Sequence, residues 1–164
     1  PMLAYWPNIT QAETINSTPL IIEDFFPPIL EMAQIDTNDF PQTMDGQSFV
    51  PLLQNNTESQ TNRPLFWHYP NEWGSEGPGI GSYSAVRQGD WKLIYFHTNK
   101  TLELYNLKKD IQENQNLLSS DYEKAKQLAT KLTQHLINVN AQMPSDKLTK
   151  EIIPYPSTLG YFKE

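Results

Sequence analysis

The chain has 164 residues, 38% of them hydrophobic and 12% aromatic, which is typical of a globular protein and long enough for one ordinary domain or two incomplete ones. A net charge of −7 and an isoelectric point near 4.9, with no cluster of Lys or Arg, argue against a nucleic-acid partner. Cysteine is absent, which excludes disulfides, thiolate catalysis and Cys-based metal sites, and no apolar run is long enough to span a bilayer.

The first third of the chain predicts a short strand and two helices. Residues 2–7 are apolar and precede Asn8, which favours a strand, although a strand there still needs a partner. Residues 24–35 have helical spacing, with Asp24 as the expected cap and two prolines in the first turn. Residues 45–53 predict a turn followed by a short helix.

The middle of the chain predicts a sheet. Runs rich in aromatic and branched residues at 65–70, 83–87, 91–96 and 102–107 are separated by Gly, Asp and Asn, which is typical of neighbouring strands. Residues 91, 93 and 95 fall on one face and residues 92, 94 and 96 on the other, so both faces carry apolar side chains. Residues 54–63 are polar and predict the boundary between two parts of the chain.

The last third predicts one long helix. Ser120 and Glu123 have the spacing of a capping box. A stripe at steps of three and four residues follows, made of Ala125, Leu128, Ala129, Leu132, Leu136 and Val139. The helix is expected to end near residues 141–144, and the tail to residue 164 has no period that assigns it a structure. Asp and Asn in the connection 106–118 are expected to satisfy backbone donors in successive turns.

The strongest candidate for ligand contact is the segment that opens at His68. This residue lies on a strand between Trp67 and Tyr69, just before a glycine-rich loop that contains Trp73. Loops held by rigid strands collect binding residues, and a tryptophan can stack on a sugar or aryl ring. We therefore assign His68 and Trp73 as candidate substrate-binding residues, while packing within the sheet remains the alternative for both.

The strand segments together resemble a known family. The runs LFWHYP (65–70), SAVRQGDWKLI (84–94) and LELYNL (102–107) are similar, in the same order, to the C-terminal subdomain of formylglycine-dependent sulfatases of the arylsulfatase type, in the alkaline-phosphatase superfamily. Residues 24–35, 45–53 and 141–144 resemble further segments of that family, so the resemblance covers residues 1 to about 144. It implies an α+β fold: the end of an α/β domain at 1–60, a small antiparallel sheet subdomain with a packed C-terminal helix at 61–144, and a tail at 145–164.

The resemblance also implies a function for a longer protein. Sulfatases hydrolyse sulfate esters with a formylglycine made from Cys or Ser in a C/S-x-P/A-x-R motif, together with Ca²⁺. This sequence contains no such motif, so we expect no catalytic and no metal-binding residue in it. We expect Ca²⁺ and formylglycine in a missing N-terminal sulfatase domain, the main partner, with a sulfated small molecule or glycan as substrate. The implied location is periplasmic or secreted.

We therefore expect a C-terminal fragment of a sulfatase, inactive alone, that completes the fold and lines the substrate pocket. The alternative from another class is a non-catalytic carbohydrate-binding or interaction module, with residues 67–69 and Trp73 as its platform. A third reading is another hydrolase of the same superfamily, such as a phosphodiesterase, which the segments GDWKLI and LELYNL disfavour.

Overall fold

The computed structural model describes residues 2–36, 41–54, 62–72, 74 and 80–162. The chain divides into two compact units, Pro1–Arg63 and Pro64–Glu164. In the described part of the chain, no helix is both long and apolar enough to cross a lipid bilayer. The predicted α+β class, with an antiparallel sheet and a packed C-terminal helix, is confirmed.

The first unit contains a 3₁₀ turn at Ile22–Phe25, helix α1 at Phe26–Met32 and helix α2 at Val50–Leu53. The helix expected over 24–35 is therefore shorter, although both prolines do lie in the first turn of α1. It ends in a left-handed turn at Gln34, with φ of 57°, and the Ile35 amide donates to the Leu30 carbonyl over 3.0 Å. A turn of this kind usually takes glycine, so Gln34 adopts it at some conformational cost.

The predicted strand at residues 2–7 is wrong. This segment is irregular and leads into a turn in which the amides of Ile9 and Thr10 both donate to the Trp6 carbonyl over 3.0 Å. A strand is stabilised by hydrogen bonds to a neighbour, and no described segment pairs with this one.

Asp24 does not cap α1, which corrects the prediction. Its side chain is completely buried, and its carboxylate accepts hydrogen bonds from the amides of Ile21 at 2.9 Å and Gln47 at 3.0 Å. The guanidinium of Arg63 pairs with the same carboxylate. One buried charge therefore ties together three segments of the first unit, and removing it would leave Arg63 without its counter-ion.

Gly46 lies where the chain approaches the 3₁₀ turn most closely. A Cβ atom at this position would lie 1.9 Å from the backbone carbonyl oxygen of Glu23. The expected short helix is confirmed at Val50–Leu53, and the chain bends at residue 46, where this contact explains the glycine.

The second unit is built on a four-stranded antiparallel sheet in the order β1-β2-β3-β4, with strands Pro64–Tyr69, Tyr83–Gln88, Trp91–Phe96 and Thr101–Asn106. The strand order follows the chain order, as predicted from the alternating runs. In the register, Phe66 lies opposite Val86, Val86 opposite Leu93, and Leu93 opposite Leu104. These four positions share one face of the sheet because side chains alternate along each strand.

Helix α3, at Tyr122–Asn138, packs on that face. Its buried stripe matches the predicted one at Ala125, Leu128, Ala129, Leu132 and Leu136. Val139 is 53% exposed and lies beyond the helix, so its place in the stripe was predicted wrongly. The helix also starts without the expected capping box: Asp121 is the N-cap, and its side chain makes no capping hydrogen bond.

The connection between β4 and α3 is held by its Asp and Asn side chains, as predicted. The Asn116 side-chain oxygen accepts from the amides of Leu104 and Leu118, both at 3.0 Å, and Asp110 accepts from the Gln115 amide at 2.8 Å. The Leu117 amide donates to the Leu104 carbonyl over 2.8 Å, which holds the connection against the edge of β4.

The C-terminal tail belongs to the core of the second unit. Ile153, Leu159 and Phe162 are buried in the same cluster as the sheet and α3. The Ser157 amide donates to the Thr133 hydroxyl of α3 over 3.0 Å. Short 3₁₀ turns at Pro156–Thr158 and Gly160–Phe162 take the place of a regular element, which is why no period marked this segment in the sequence.

Candidate functional site

His68 lies near the end of β1, on the sheet face that carries α3. Its partner across the sheet is Ser84 on β2, which lies opposite Tyr95 on β3. The Nδ1 atom of His68 is 2.8 Å from the Ser84 hydroxyl oxygen, and its Nε2 atom is 3.1 Å from the Gln142 carbonyl oxygen. Both ring nitrogens of His68 therefore have a partner, one from the sheet and one from the segment that follows α3.

A second histidine extends this contact into the protein. His97 lies in the turn after β3 and is only 1% exposed. Its Nε2 atom is 2.8 Å from the Ser84 hydroxyl oxygen, and its Nδ1 atom is 2.6 Å from the Ser82 hydroxyl oxygen. Ser82 in turn donates to the Pro70 carbonyl over 2.9 Å. We call His68, Ser84, His97 and Ser82 the polar chain.

The environment of the polar chain favours a neutral His97. Burial, and to a lesser extent the neighbouring His68, lowers the pKa of His97 from 6.5 to about 4, because a charged ring would lose its hydration. The ring of Tyr95 meets His97 edge-on at a centroid distance of 5.1 Å. Burial raises the pKa of Tyr95 to about 12, and its hydroxyl donates to the Pro154 carbonyl over 2.8 Å.

The loop that follows His68 is held on two sides. The Ser82 bond to the Pro70 carbonyl joins the end of the loop to its start. Lys147, in the C-terminal segment, pairs with Glu72 at 2.9 Å. Trp73, the other candidate substrate-binding residue, lies outside the described residues, so the structure places only His68 of the predicted pair.

The structure separates the residues of the alternative binding platform. His68 is on the α3 face, whereas its neighbours Trp67 and Tyr69 point to the opposite face because strand side chains alternate. On that opposite face the rings of Tyr69 and Tyr83 lie 5.2 Å apart. Residues 67, 68 and 69 thus do not form one continuous surface.

Two further features bear on possible chemistry: the third histidine, His135, and the distribution of side chains that could ligate a metal. His135 is half-buried on α3 and stacks on Phe66 at a centroid distance of 3.8 Å. Across the described residues, no three His, Asp or Glu side chains converge as metal ligands. The Ca²⁺ and formylglycine that the resemblance implies for the longer protein stay a prediction.

Sequence reasoning missed most of the polar chain. Of its four residues only His68 was predicted, and neither His97 nor the two serines were among the candidate residues. The available signal was the alternation in β2, which puts Ser84 among buried apolar neighbours, since a buried hydroxyl needs a hydrogen-bond partner. Nothing in the sequence indicates that the turn after β3 folds back onto Ser82.

Comparison with known proteins gives the family. The sequence profile of the family described as "N-sulphoglucosamine sulphohydrolase, C-terminal" matches residues 1–142. The chain belongs to this sulfatase C-terminal family. The predicted identification as a C-terminal sulfatase portion is thereby confirmed.

Related proteins agree with that assignment. The chain is 27% identical to a protein named "Sulfatase" from Formosa agariphila, over 95% of the chain and 30% of the relative. It is 25% identical to the uncharacterized sulfatase YdeN of Escherichia coli K12, over 78% of the chain and 27% of that protein. The chain thus spans less than a third of the length of these curated relatives.

Two solved structures share the fold. One is BT4656 in complex with its substrate D-glucosamine-2-N,6-O-disulfate, with a TM-score of 0.59 and 26% identity over 76% of this chain and 25% of that protein. The other is BT1596, a 2-O GAG sulfatase, with a TM-score of 0.52 and 23% identity over 84% of this chain and 30% of that protein. The second likeness concerns the fold alone.

Proposed function

We propose that this chain is the C-terminal part of a sulfuric ester hydrolase that acts on a sulfated sugar, where it completes the fold and lines one wall of the substrate pocket. The observation that carries the proposal is the family match over residues 1–142. The likeness to BT4656, a protein solved with a sulfated glucosamine as its substrate, supports a sugar sulfate as the substrate class.

Exposed apolar residues in the first unit support the fold-completing role. Leu3 and Ile15 are each 94% exposed, and Tyr5 and Ile22 are 79% and 77% exposed. Single exposed apolar residues are common, but four within the first 22 residues favour a surface that another part of the protein covers. The proposed cover is the N-terminal sulfatase domain, which would account for the additional length of the relatives.

The chemistry of ester hydrolysis is proposed to lie in that other domain. A hydrolase of this kind needs a nucleophile and positive charge to stabilise the developing anion. The chain has no cysteine and no serine in a C/S-x-P/A-x-R context, so the formylglycine nucleophile and Ca²⁺ are assigned outside it. The proposed location of the enzyme is periplasmic or secreted, in line with its bacterial sulfatase relatives.

The pocket wall is proposed to be the segment from His68 to Gly81. This segment leaves the end of β1, carries Trp73 and is held by the polar chain and the Lys147–Glu72 pair. In the proposed role, His68 and Trp73 recognise the part of the substrate beyond the sulfate. They take no part in breaking the S–O bond.

Release of inorganic sulfate tests the enzyme assignment. The intact protein is expected to release sulfate from D-glucosamine-2-N,6-O-disulfate or a related sulfated sugar, and the isolated 164-residue chain is expected to release none. Turnover by the isolated chain would refute the assignment of the chemistry to another domain. Absence of turnover by the intact protein on sulfated sugars and aryl sulfates alike, with hydrolysis of a phosphodiester instead, would refute the sulfatase proposal.

A further inference from the structure

The hydrogen bonds of the polar chain require a definite number of hydrogens. Five hydrogen bonds link its four side chains to each other and to the backbone carbonyls of Gln142 and Pro70. Each bond contains one hydrogen, and a carbonyl oxygen can only accept. Two serine hydroxyls supply two hydrogens and two neutral imidazoles supply one each, which makes four. The polar chain with all five hydrogen bonds formed therefore holds one additional proton.

The position of the additional proton follows from the Pro70 end of the polar chain. Ser82 uses its hydrogen toward the Pro70 carbonyl, so the Nδ1 atom of His97 is the donor in its 2.6 Å contact with Ser82. His97 is only 1% exposed, whereas His68 is partly exposed, so the additional proton belongs to His68 and the Nε2 atom of His97 carries no hydrogen. The Nε2 atom must then accept the hydrogen of Ser84.

His68 is left as the donor in both of its contacts. The hydroxyl hydrogen of Ser84 is used toward His97, so the 2.8 Å contact with His68 needs a hydrogen on Nδ1. The 3.1 Å contact with the Gln142 carbonyl needs a hydrogen on Nε2. An imidazole with hydrogens on both nitrogens is an imidazolium, with a charge of +1.

We propose that Ser82, Ser84 and His97 are positioning residues that hold His68 as an imidazolium, a fixed positive charge where the loop after β1 begins. This inference rests on the proposed function, because the charge would favour an anionic group of the sugar substrate beside His68. It assigns the two serines and His97 a role in recognition without contact to the reacting atoms.

Among the described residues, the titratable groups that contact the polar chain or lie on the elements next to it are neutral or paired with another residue. Tyr95 is the titratable neighbour from β3, with a pKa raised to about 12 by burial, so it stays neutral. Glu72, from the loop after β1, is paired with Lys147 from the C-terminal segment. From α3, His135 stacks on Phe66, two residues before His68 on β1.

Histidine NMR tests the protonation state directly. In the intact protein labelled with ¹⁵N at histidine, His68 is expected to show a directly bonded hydrogen on both ring nitrogens at pH 7, and His97 on Nδ1 alone. A neutral His68 with one N–H would overturn the proposal. This measurement needs no variant and no substrate.

Two variants of His97 test the positioning role. In His97→Gln the amide oxygen can replace Nε2 as the acceptor for Ser84, so His68 is expected to remain an imidazolium. In His97→Phe this acceptor is lost, Ser84 is free to donate to Nδ1, and His68 is expected to become neutral. An imidazolium that persists in His97→Phe would contradict the positioning role.

Kinetics of the same variants test the effect on the substrate. With D-glucosamine-2-N,6-O-disulfate, the KM of His97→Phe is expected to rise about fivefold while kcat is retained, and His97→Gln is expected to resemble the wild type. An unchanged KM in His97→Phe, with His68 shown to be neutral, would overturn the link between the charge and the substrate. Failure of the proposed function is distinguishable, because the NMR result does not depend on turnover.

Discussion

At the residue scale, Asp24 and His97 are two buried polar side chains that several hydrogen bonds hold in place. Asp24 is fully buried and accepts bonds from three segments of the first unit. His97 is buried with both nitrogens bonded to serine hydroxyls. Both satisfy the rule that a buried polar group needs partners, and apart from Ile21 these partners are distant in sequence.

The lowered pKa of His97 predicts that the second unit loses stability in acid. The unfolded chain binds a proton on this ring near pH 6.5, whereas the folded protein resists it until about pH 4. Acid therefore favours the unfolded state, and the stability present above pH 6.5 is expected to fall by about 2–3 kcal/mol as the pH drops to 4.

Hydrogen exchange of the β2 and β3 amides in the intact protein, corrected for the intrinsic pH dependence, measures this loss. His97→Gln has no titrating ring and serves as the control, so much of the pH dependence between 6.5 and 4 should disappear in it. A wild-type protein whose protection is constant over this interval would contradict the assignment of His97 as a buried neutral histidine.

At the element scale, periodicity predicted the secondary structure better than local end signals did. The strands were predicted because turn residues separate the apolar runs. Helix α3 was predicted because its apolar residues recur every three or four positions. The capping predictions at Asp24 and Ser120 were both wrong. An Asp or Ser before an apolar run can cap a helix or bond elsewhere, and the choice depends on tertiary contacts that the local sequence does not contain.

Leu132 tests the phase of α3 against the sheet. It is completely buried in the core cluster, whereas Ile137 on the same helix is 53% exposed. Leu132→Ala is expected to lower the free energy of unfolding by about 2–5 kcal/mol, because it removes buried methyl groups and leaves a cavity. Ile137→Ala is the matched control and should cost under about 1 kcal/mol. Chemical denaturation of both variants measures the difference, and equal losses would show that the buried face is assigned wrongly.

At the scale of the whole molecule, the sequence predicted the class of fold and one member of the candidate site. The resemblance and the strand pattern together gave the antiparallel sheet with its packed helix, and His68 was selected because it precedes a glycine-rich loop. The polar chain was not predictable, since it depends on a turn folding back onto Ser82 and on the Gln142 carbonyl reaching β1. The tail was not predictable either, because its buried residues follow no period.

Two neighbouring isoleucines in the tail are expected to contribute very differently to stability. Ile153 is 5% exposed within the core cluster, while Ile152 is 72% exposed. Ile153→Ala is expected to destabilise the second unit by about 2–4 kcal/mol, and Ile152→Ala by under about 0.5 kcal/mol. Thermal unfolding of the two variants measures this contrast. A small effect at Ile153 would indicate that the tail is not an integral part of the core.

The role proposed for this chain is to help a sulfatase recognise the part of its substrate beyond the sulfate. The most direct measurement is the KM of His68→Ala and Trp73→Ala in the intact enzyme with two substrates, a sulfated glucosamine and a small activated aryl sulfate. Tyr161→Ala, at an aromatic residue that is 49% exposed, is the control.

Both loop variants are expected to raise the KM for the sulfated sugar about tenfold, a loss of roughly 1–2 kcal/mol of binding, and to leave the KM for the aryl sulfate nearly unchanged. Tyr161→Ala should change neither. Equal losses on both substrates, or no change on either, would contradict the claim and would assign the loop a structural role.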